Sequence, residues 1–189
     1  HDALREELLC PFHYFGISDI EVDGELITEK TAVKKLTADE RVNHIIEKSR
    51  FYSYSGDKLH GLIFVSRVEE AIELTEKMKN RGIRCEVLTG EDSDSKREKT
   101  ISDLEEGKIE YIITVDIFNE GVDIPCINQV ILLRPTESSI VYIQQLGRGL
   151  RKYDGKEYVV ILDFIGNYEK NFLIPVAVSQ DNSYDKEYI

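Results

Sequence analysis

From Thr37 onward, short apolar runs alternate with longer amphipathic stretches, and this alternation limits the possible folds more than any other feature of the sequence. Gly61–Val65 (GLIFV) is continuously apolar. A run that short suits a strand covered on both faces, because a buried helix needs about ten residues or more. The next stretch spaces Val68, Ala71, Ile72 and Met78 for one inward helical stripe. Ser66 is its expected cap, with Glu69 three residues on, and Gly82 its expected stop. The unit then repeats. A strand over Ile83–Leu88 leads to a helix from about Ser95 to Glu106, closed by Gly107, and then to a strand over Tyr111–Val115. A strand over Asn128–Leu133, a helix over Ser138–Arg151 and a strand over Tyr158–Asp163 complete the series. Ahead of it, Thr37 and Glu40 form a capping box for a helix to about Ser49, with Val42, Ile45 and Ile46 inward.

This order predicts an α/β fold of three layers, α/β/α, with a mostly parallel sheet and right-handed crossovers. In such sheets ligands gather beyond the carboxyl ends of the strands. Ser66, Thr89-Gly90, Asp116–Pro125 and Arg134-Pro135 fall there.

Residues 1–36 carry a weaker pattern. Helical polarity runs to Leu9 and is broken by Pro11. Phe12, Tyr14 and Phe15 fit a strand or an edge against another surface, and Asp23-Gly24 marks a turn. The last residues, SQDNSYDKEYI, read as a polar linker or frayed end.

Composition narrows the function classes. The chain has 189 residues, enough for one domain or somewhat more. Its net charge is −12 and its pI about 4.8, so the average field repels phosphate and argues against a strong free-standing nucleic-acid binder. A local basic strip remains compatible with that charge. No run of 18 apolar residues suggests a membrane span, and no secretory leader pattern is visible. Cys10, Cys85 and Cys126 match neither a disulfide framework nor a zinc spacing, and read as small buried hydrophobes in a reducing cytoplasm. His1, His13, His44 and His60 show no metal or catalytic spacing, so no metal site is expected.

One expected helix is unusual. In QQLGRGLR, Gly147 and Gly149 each cost a helix interior roughly 1 kcal/mol relative to alanine. Gln144, Arg148 and Arg151 fall on one stripe, with Ile143, Leu146 and Leu150 on the neighbouring one. Two forked guanidiniums beside an amide suit phosphate oxygens, and the glycines admit another surface close to the backbone.

Four stretches, in order, resemble superfamily 2 helicases and translocases. Gln144–Arg151 resembles their motif VI, and Gly61–Ser66 their motif IV. Leu88-Thr89-Gly90 with Arg97 resembles the Leu-x-Gly stretch and its following arginine, and Ile113–Pro125 (ITVDIFNEGVDIP) resembles motif V. The resemblance covers residues 60–165. LLCPFHYFGI resembles the stretch after the first motor domain in the bacterial group related to restriction-enzyme translocating subunits. It implies the C-terminal, second RecA-like domain of such an enzyme. The implied division is a connection over 1–36, a helicase domain over 37–175 and a tail over 176–189.

Such motors hydrolyse ATP between two RecA-like domains, the first carrying a phosphate loop and an acidic pair for magnesium. The sequence contains neither. Gly90–Lys96 (GEDSDSK) lacks the second glycine, and Asp39-Glu40-Arg41 opens an amphipathic helix instead of ending a buried strand. The chain alone is therefore expected to be inactive and to bind neither ATP nor Mg2+. The full-length protein is expected to use both. Its expected partners are DNA or RNA backbone and the N-terminal RecA-like domain of the same polypeptide, without a membrane.

By matching position, the resemblance implies that Arg148 and Arg151 are arginine fingers, the catalytic groups of this half. Gly121, Asp123 and Gln144 would border the nucleotide, although Asp123 equally fits a turn or cap before Pro125. Ser66, Gly90, Arg97 and Thr114 would face the backbone of one strand. Thr114 equally fits a plain strand residue, because many relatives carry their threonine directly before the aspartate and Val115 holds that place here. Arg97 equally fits a solvated helix face. The competing function is a non-catalytic RecA-like module that binds a nucleotide or protein partner. A Rossmann-like domain is disfavoured, because no G-x-G-x-x-G loop follows a strand.

Overall fold

The computed structural model describes residues 10–28, 30–115, 124–134 and 151–165. Among them, six strands form one sheet: β1 (Phe12–Ser18), β4 (Gly61–Phe64), β5 (Cys85–Leu88), β6 (Tyr111–Thr114), β7 (Gln129–Leu132) and β8 (Val159–Ile165). The order is β1-β8-β7-β4-β6-β5, with every pairing parallel. β2 (Glu21–Val22) and β3 (Glu25–Leu26) make a small separate hairpin. Its turn places Asp23 and Gly24 at φ 53° and 71°, the left-handed pair that a tight hairpin favours. The helices are α1 (Val33–Leu36), α2 (Asp39–Tyr52), α3 (Val68–Lys79) and α4 (Asp94–Glu105).

Both sheet faces are covered. Val42, Ile45 and Ile46 of α2 and Ala71, Leu74 and Met78 of α3 pack with Ile63, Ile113, Ile131 and Leu162 on one face. Leu104 of α4 packs with Phe64, Leu88, Ile112, Leu132 and Ile161 on the other. This is the expected three-layer α/β/α arrangement. The stretch Phe12–Ser18, compatible with a strand in sequence, is the outermost strand on that side among the described residues, in full register with β8 from Phe12↔Val159 to Ser18↔Ile165. The expected helix over Ser138–Arg151 lies outside the described residues up to Arg151.

Two expected caps are corrected. Thr37 does not cap α2. Its hydroxyl donates to the Val33 carbonyl at 2.9 Å, which commits it to the short α1, and the N-cap of α2 is Ala38 without a side-chain bond. Ser66 does not cap α3 with its hydroxyl. The helix begins one residue later, behind Arg67, and Glu70 reaches back to accept from the Ser66 amide at 3.0 Å. The carboxylate half of a capping box is therefore present, shifted by one residue. The inward stripe is correspondingly Ala71, Leu74, Thr75 and Met78, while Val68 and Ile72, expected inside, are 41% and 45% exposed. Ser93 caps α4 by accepting from the Lys96 amide, and Gly82 and Gly107, at φ 79° and 75°, follow α3 and α4 as expected.

The amino-terminal edge of the sheet is fixed by buried amides. Gln129 donates through Nε2 to the Ser49 and Ser53 carbonyls at 2.9 and 2.7 Å, satisfying the end of α2, and its Oε1 accepts from the Tyr111 hydroxyl. Asn128 donates to the Ser55 and Lys58 carbonyls, both at 2.7 Å, and accepts from the His60 amide at 2.9 Å. The Tyr111 ring, held this way, lies over Gly61, where an added Cβ would come 2.2 Å from two ring carbons. Gly61→Ala is therefore expected to destabilise the domain by about 1–3 kcal/mol, the usual cost of overpacking a core. Urea denaturation would check this, and an unchanged midpoint would show that the ring is free to move.

Candidate nucleic-acid and nucleotide edge

The carboxyl ends of β4, β6 and β5 form one stretch of edge, because β6 lies between the other two. Val65 donates its amide to the Thr114 carbonyl at 3.1 Å and Leu133 to that of Phe64 at 2.9 Å, so the ladder continues to the last residue before each loop. Ser66 emerges exposed at the end of β4. Gly90 emerges exposed after β5, two strands away, which places the two loops about 10 Å apart.

The loop after β5 closes on itself. The Thr89 amide and hydroxyl donate to Asp92 at 2.7 and 3.3 Å, and Lys96 donates to the second Asp92 oxygen at 2.6 Å. Burial opposes ionisation of Asp92, but the Lys96 and Thr89 bonds outweigh it and hold the carboxyl below its usual range. Gly90 is left at the tip. A Cβ added there meets no described atom within 4 Å, and its φ lies outside the left-handed region. Nothing described within the domain requires glycine at this position.

The remaining expected strand contacts divide. Arg97 lies on α4 with its side chain 15% exposed and its Nη1 3.7 Å from Asp94. Thr114 is fully buried, in register with Phe64 and Leu88, and its hydroxyl has no hydrogen-bond partner among the described residues. The period of two in a strand turns it toward the α4 layer together with Ile112, and the loop that follows, 116–123, lies outside the described residues. Arg151 is described and exposed. Gly121, Asp123, Gln144 and Arg148 lie outside the described residues.

Sequence reasoning missed two groups of buried polar residues near this edge. The first is Asp19, Arg41 and Glu70. Arg41 is 1% exposed and donates through Nε and Nη2 to Asp19, the shortest contact being 2.7 Å. Its Nη1 donates to the Leu36 carbonyl at 2.7 Å and lies 3.6 Å from Glu70. Burial raises the Glu70 carboxyl above its ordinary range, although the Arg41 charge and the Ser66 amide act against it. In sequence Arg41 belongs to the opening of an amphipathic helix, and no sequence spacing links it to residues 19 and 70. The second is Asp163 in β8, 2% exposed, which accepts from the Tyr14 hydroxyl at 2.6 Å. Burial raises its carboxyl to about 6 despite that bond.

The cysteines are structural. Burial pushes the Cys85 and Cys126 thiols up to about 12, far from reactive thiolates. Among the described residues no cluster of His, Cys, Asp and Glu could hold a metal ion, and no helix is long and apolar enough to cross a membrane.

A parallel sheet covered by helices on both faces, with exposed loops at its carboxyl edge, is the RecA-like arrangement of helicase C-terminal domains. The chain belongs to the helicase conserved C-terminal domain family, which matches residues 39–153. A putative ATP-dependent helicase of Saccharomyces cerevisiae, IRC3, is 29% identical over 87% of this chain and 25% of its own length. Putative helicase 22 of a Sulfolobus islandicus filamentous virus is 32% identical over 67% of this chain and 22% of its own. The chain thus spans about a quarter of these relatives. In fold it is similar to the C-terminal domain of the DEAD-box protein Dbp5, with a TM-score of 0.60, 21% identity and coverage of 93% and 86%. A DEAD-box protein from Methanococcus jannaschii superposes with a TM-score of 0.61 at 19% identity, covering 93% of this chain and 41% of that one.

Asp163 yields a pH test. Its carboxyl is raised in the folded state, so it favours folding below the unfolded value near 4 and loses that contribution as pH rises through about 6. Asp163→Asn keeps an acceptor for Tyr14 and cannot ionise. Between pH 4 and 7 the variant should gain about 1–3 kcal/mol relative to the parent. Denaturation at the two pH values checks it, and a pH-independent difference would place the Asp163 charge elsewhere.

Proposed function

We propose that this chain is the second motor domain of a superfamily 2 ATP-dependent nucleic-acid helicase or translocase. ATP and Mg2+ bind on a first RecA-like domain of the same cytoplasmic polypeptide. Arg148 and Arg151 reach that nucleotide as arginine fingers, where negative charge spreads over the γ-phosphoryl oxygens in the transition state. Gly121, Asp123 and Gln144 border the nucleotide. Ser66, Gly90 and Arg97 grip one strand of DNA or RNA through its backbone, while Thr114 supports β6 from within. Kinship with restriction translocating subunits rests on the stretch LLCPFHYFGI.

Family membership and the helicase names of the relatives support this reading, and the observation that carries it is Gly90. Its surroundings allow a side chain and its backbone does not demand glycine. A bare backbone exposed at that edge admits close approach by a sugar–phosphate chain. Exposed acids such as Glu91 and Asp94 beside it weaken any long-range attraction, so the grip is local and salt-sensitive.

Two measurements test the two halves of the site. In the full-length protein, Arg148→Ala should lower nucleic-acid-stimulated ATP hydrolysis about a thousandfold with ATP binding retained. Unchanged turnover would remove the finger role. Gly90→Val should leave the unfolding midpoint of the protein unchanged while weakening strand binding roughly tenfold, about 1.4 kcal/mol. Equal affinity of variant and parent would remove Gly90 from the strand path.

A further inference from the structure

Ser66 and Arg67 form the junction between β4 and α3, and no cap of their own fixes it. Its hold is indirect. Glu70 accepts from the Ser66 amide at 3.0 Å through Oε2, and its Oε1 lies 3.6 Å from Arg41. Arg41 in turn forks onto Asp19 and donates to the Leu36 carbonyl. The side chains of all three charged residues are at most 4% exposed. Arg67 adds a parallel tie, donating through Nη1 to the Thr31 carbonyl at 3.1 Å. Asp19 follows β1, Leu36 ends α1, Arg41 opens α2 and Glu70 opens α3. One buried chain of charge-assisted contacts therefore joins the segment after β1 to the tip of β4.

Stability alone does not explain such a chain, since apolar side chains of similar size commonly serve as well in a buried position. A buried polar network can, however, fix one geometry. Here the Arg41–Glu70 link is an ion-pair contact at 3.6 Å, with Glu70 Oε1 accepting no hydrogen bond among the described residues, so charge and not a hydrogen bond carries it. The geometry the network fixes is that of the exposed Ser66.

We propose that Asp19, Arg41 and Glu70 are positioning residues that set the Ser66 junction for the nucleic-acid backbone, with Glu70 acting directly on the Ser66 amide and Asp19 acting through Arg41. This rests on the strand-gripping role proposed above. None of the three touches the strand. Their effect falls on affinity for the strand, while turnover at saturating strand is set at the nucleotide. The network also ties the junction to residues 19–36, so displacement of that segment shifts the grip.

The test is the ATPase activity of the full-length protein titrated with single-stranded DNA and, in parallel, single-stranded RNA. Glu70→Met keeps the volume and loses the acceptor. It should raise the half-saturating strand concentration roughly five- to tenfold, the effect of about one hydrogen bond, with the saturated rate within about twofold of the parent. Glu70→Gln keeps an acceptor for Ser66 and should restore the parent value. Asp19→Asn, which acts two contacts away, should give a smaller rise of roughly two- to fourfold. Unchanged half-saturation in both Glu70→Met and Asp19→Asn would overturn the proposal. So would a loss confined to the saturated rate, and so would equal losses in Glu70→Met and Glu70→Gln. If Glu70→Met fails to fold, Asp19→Asn against Glu70→Gln still decides. A parent whose ATPase responds to neither nucleic acid would overturn the strand-gripping role itself, and this inference with it.

Discussion

The structure depends on the burial of β4. Gly61–Phe64 is flanked by β6 and β7, covered by α2 and α3 on one face and by the α4 layer on the other. A parallel strand so enclosed must be apolar on both faces, and all four of its residues are buried. Its neighbours then follow by register, Leu62 opposite both Ile112 and Val130, Phe64 opposite both Thr114 and Leu132. Close packing at its start requires glycine under the Tyr111 ring. Its end delivers Ser66 to the surface. One short run thus sets the core, the amino edge and one part of the candidate site.

The two edges of the sheet solve different problems. At the amino edge, Asn128, Gln129 and Ser55 satisfy carbonyls and amides of loops and of the α2 terminus, and the chain is held by many buried bonds. At the carboxyl edge the described loop after β5 is exposed and closes locally through Thr89 and Asp92. The Asp19–Arg41–Glu70 chain reaches that edge from within. Rigidity and accessibility are divided between opposite ends of the same strands, which is how α/β sheets carry sites without losing their cores.

The fold was legible in the sequence wherever burial alone decides the pattern. GLIFV, Tyr111–Thr114 and Gln129–Leu132 are buried strands because nothing else accommodates such short apolar runs. Local rules failed where a distant partner intervened. The sequence marks Thr37 as a cap, yet α1 claims its hydroxyl. It marks Ser66 as a cap, yet Glu70 takes over from one position further along. Phe12–Ser18 has aromatic strand character, but its partner lies across almost the whole described chain, and no local signal names it. For the candidate site, motif resemblance points to Ser66 and Gly90, which stand exposed at the carboxyl edge. It also points to Thr114, which strand parity turns inward, and parity depends on a register that no local signal sets. Asp19, Arg41 and Glu70 were invisible because charges far apart in sequence carry no spacing.

The pairing of β1 with β8 has a temporal consequence. During synthesis, Phe12–Ser18 leaves the ribosome long before Val159–Ile165, and it has no other ladder partner in the described sheet. The central strands can assemble while this first strand waits, so closure of the sheet belongs among the late, non-local steps of folding. Until then both β1 and the flank of β7 present open hydrogen-bonding edges, the kind of surface that recruits chaperones or neighbouring chains.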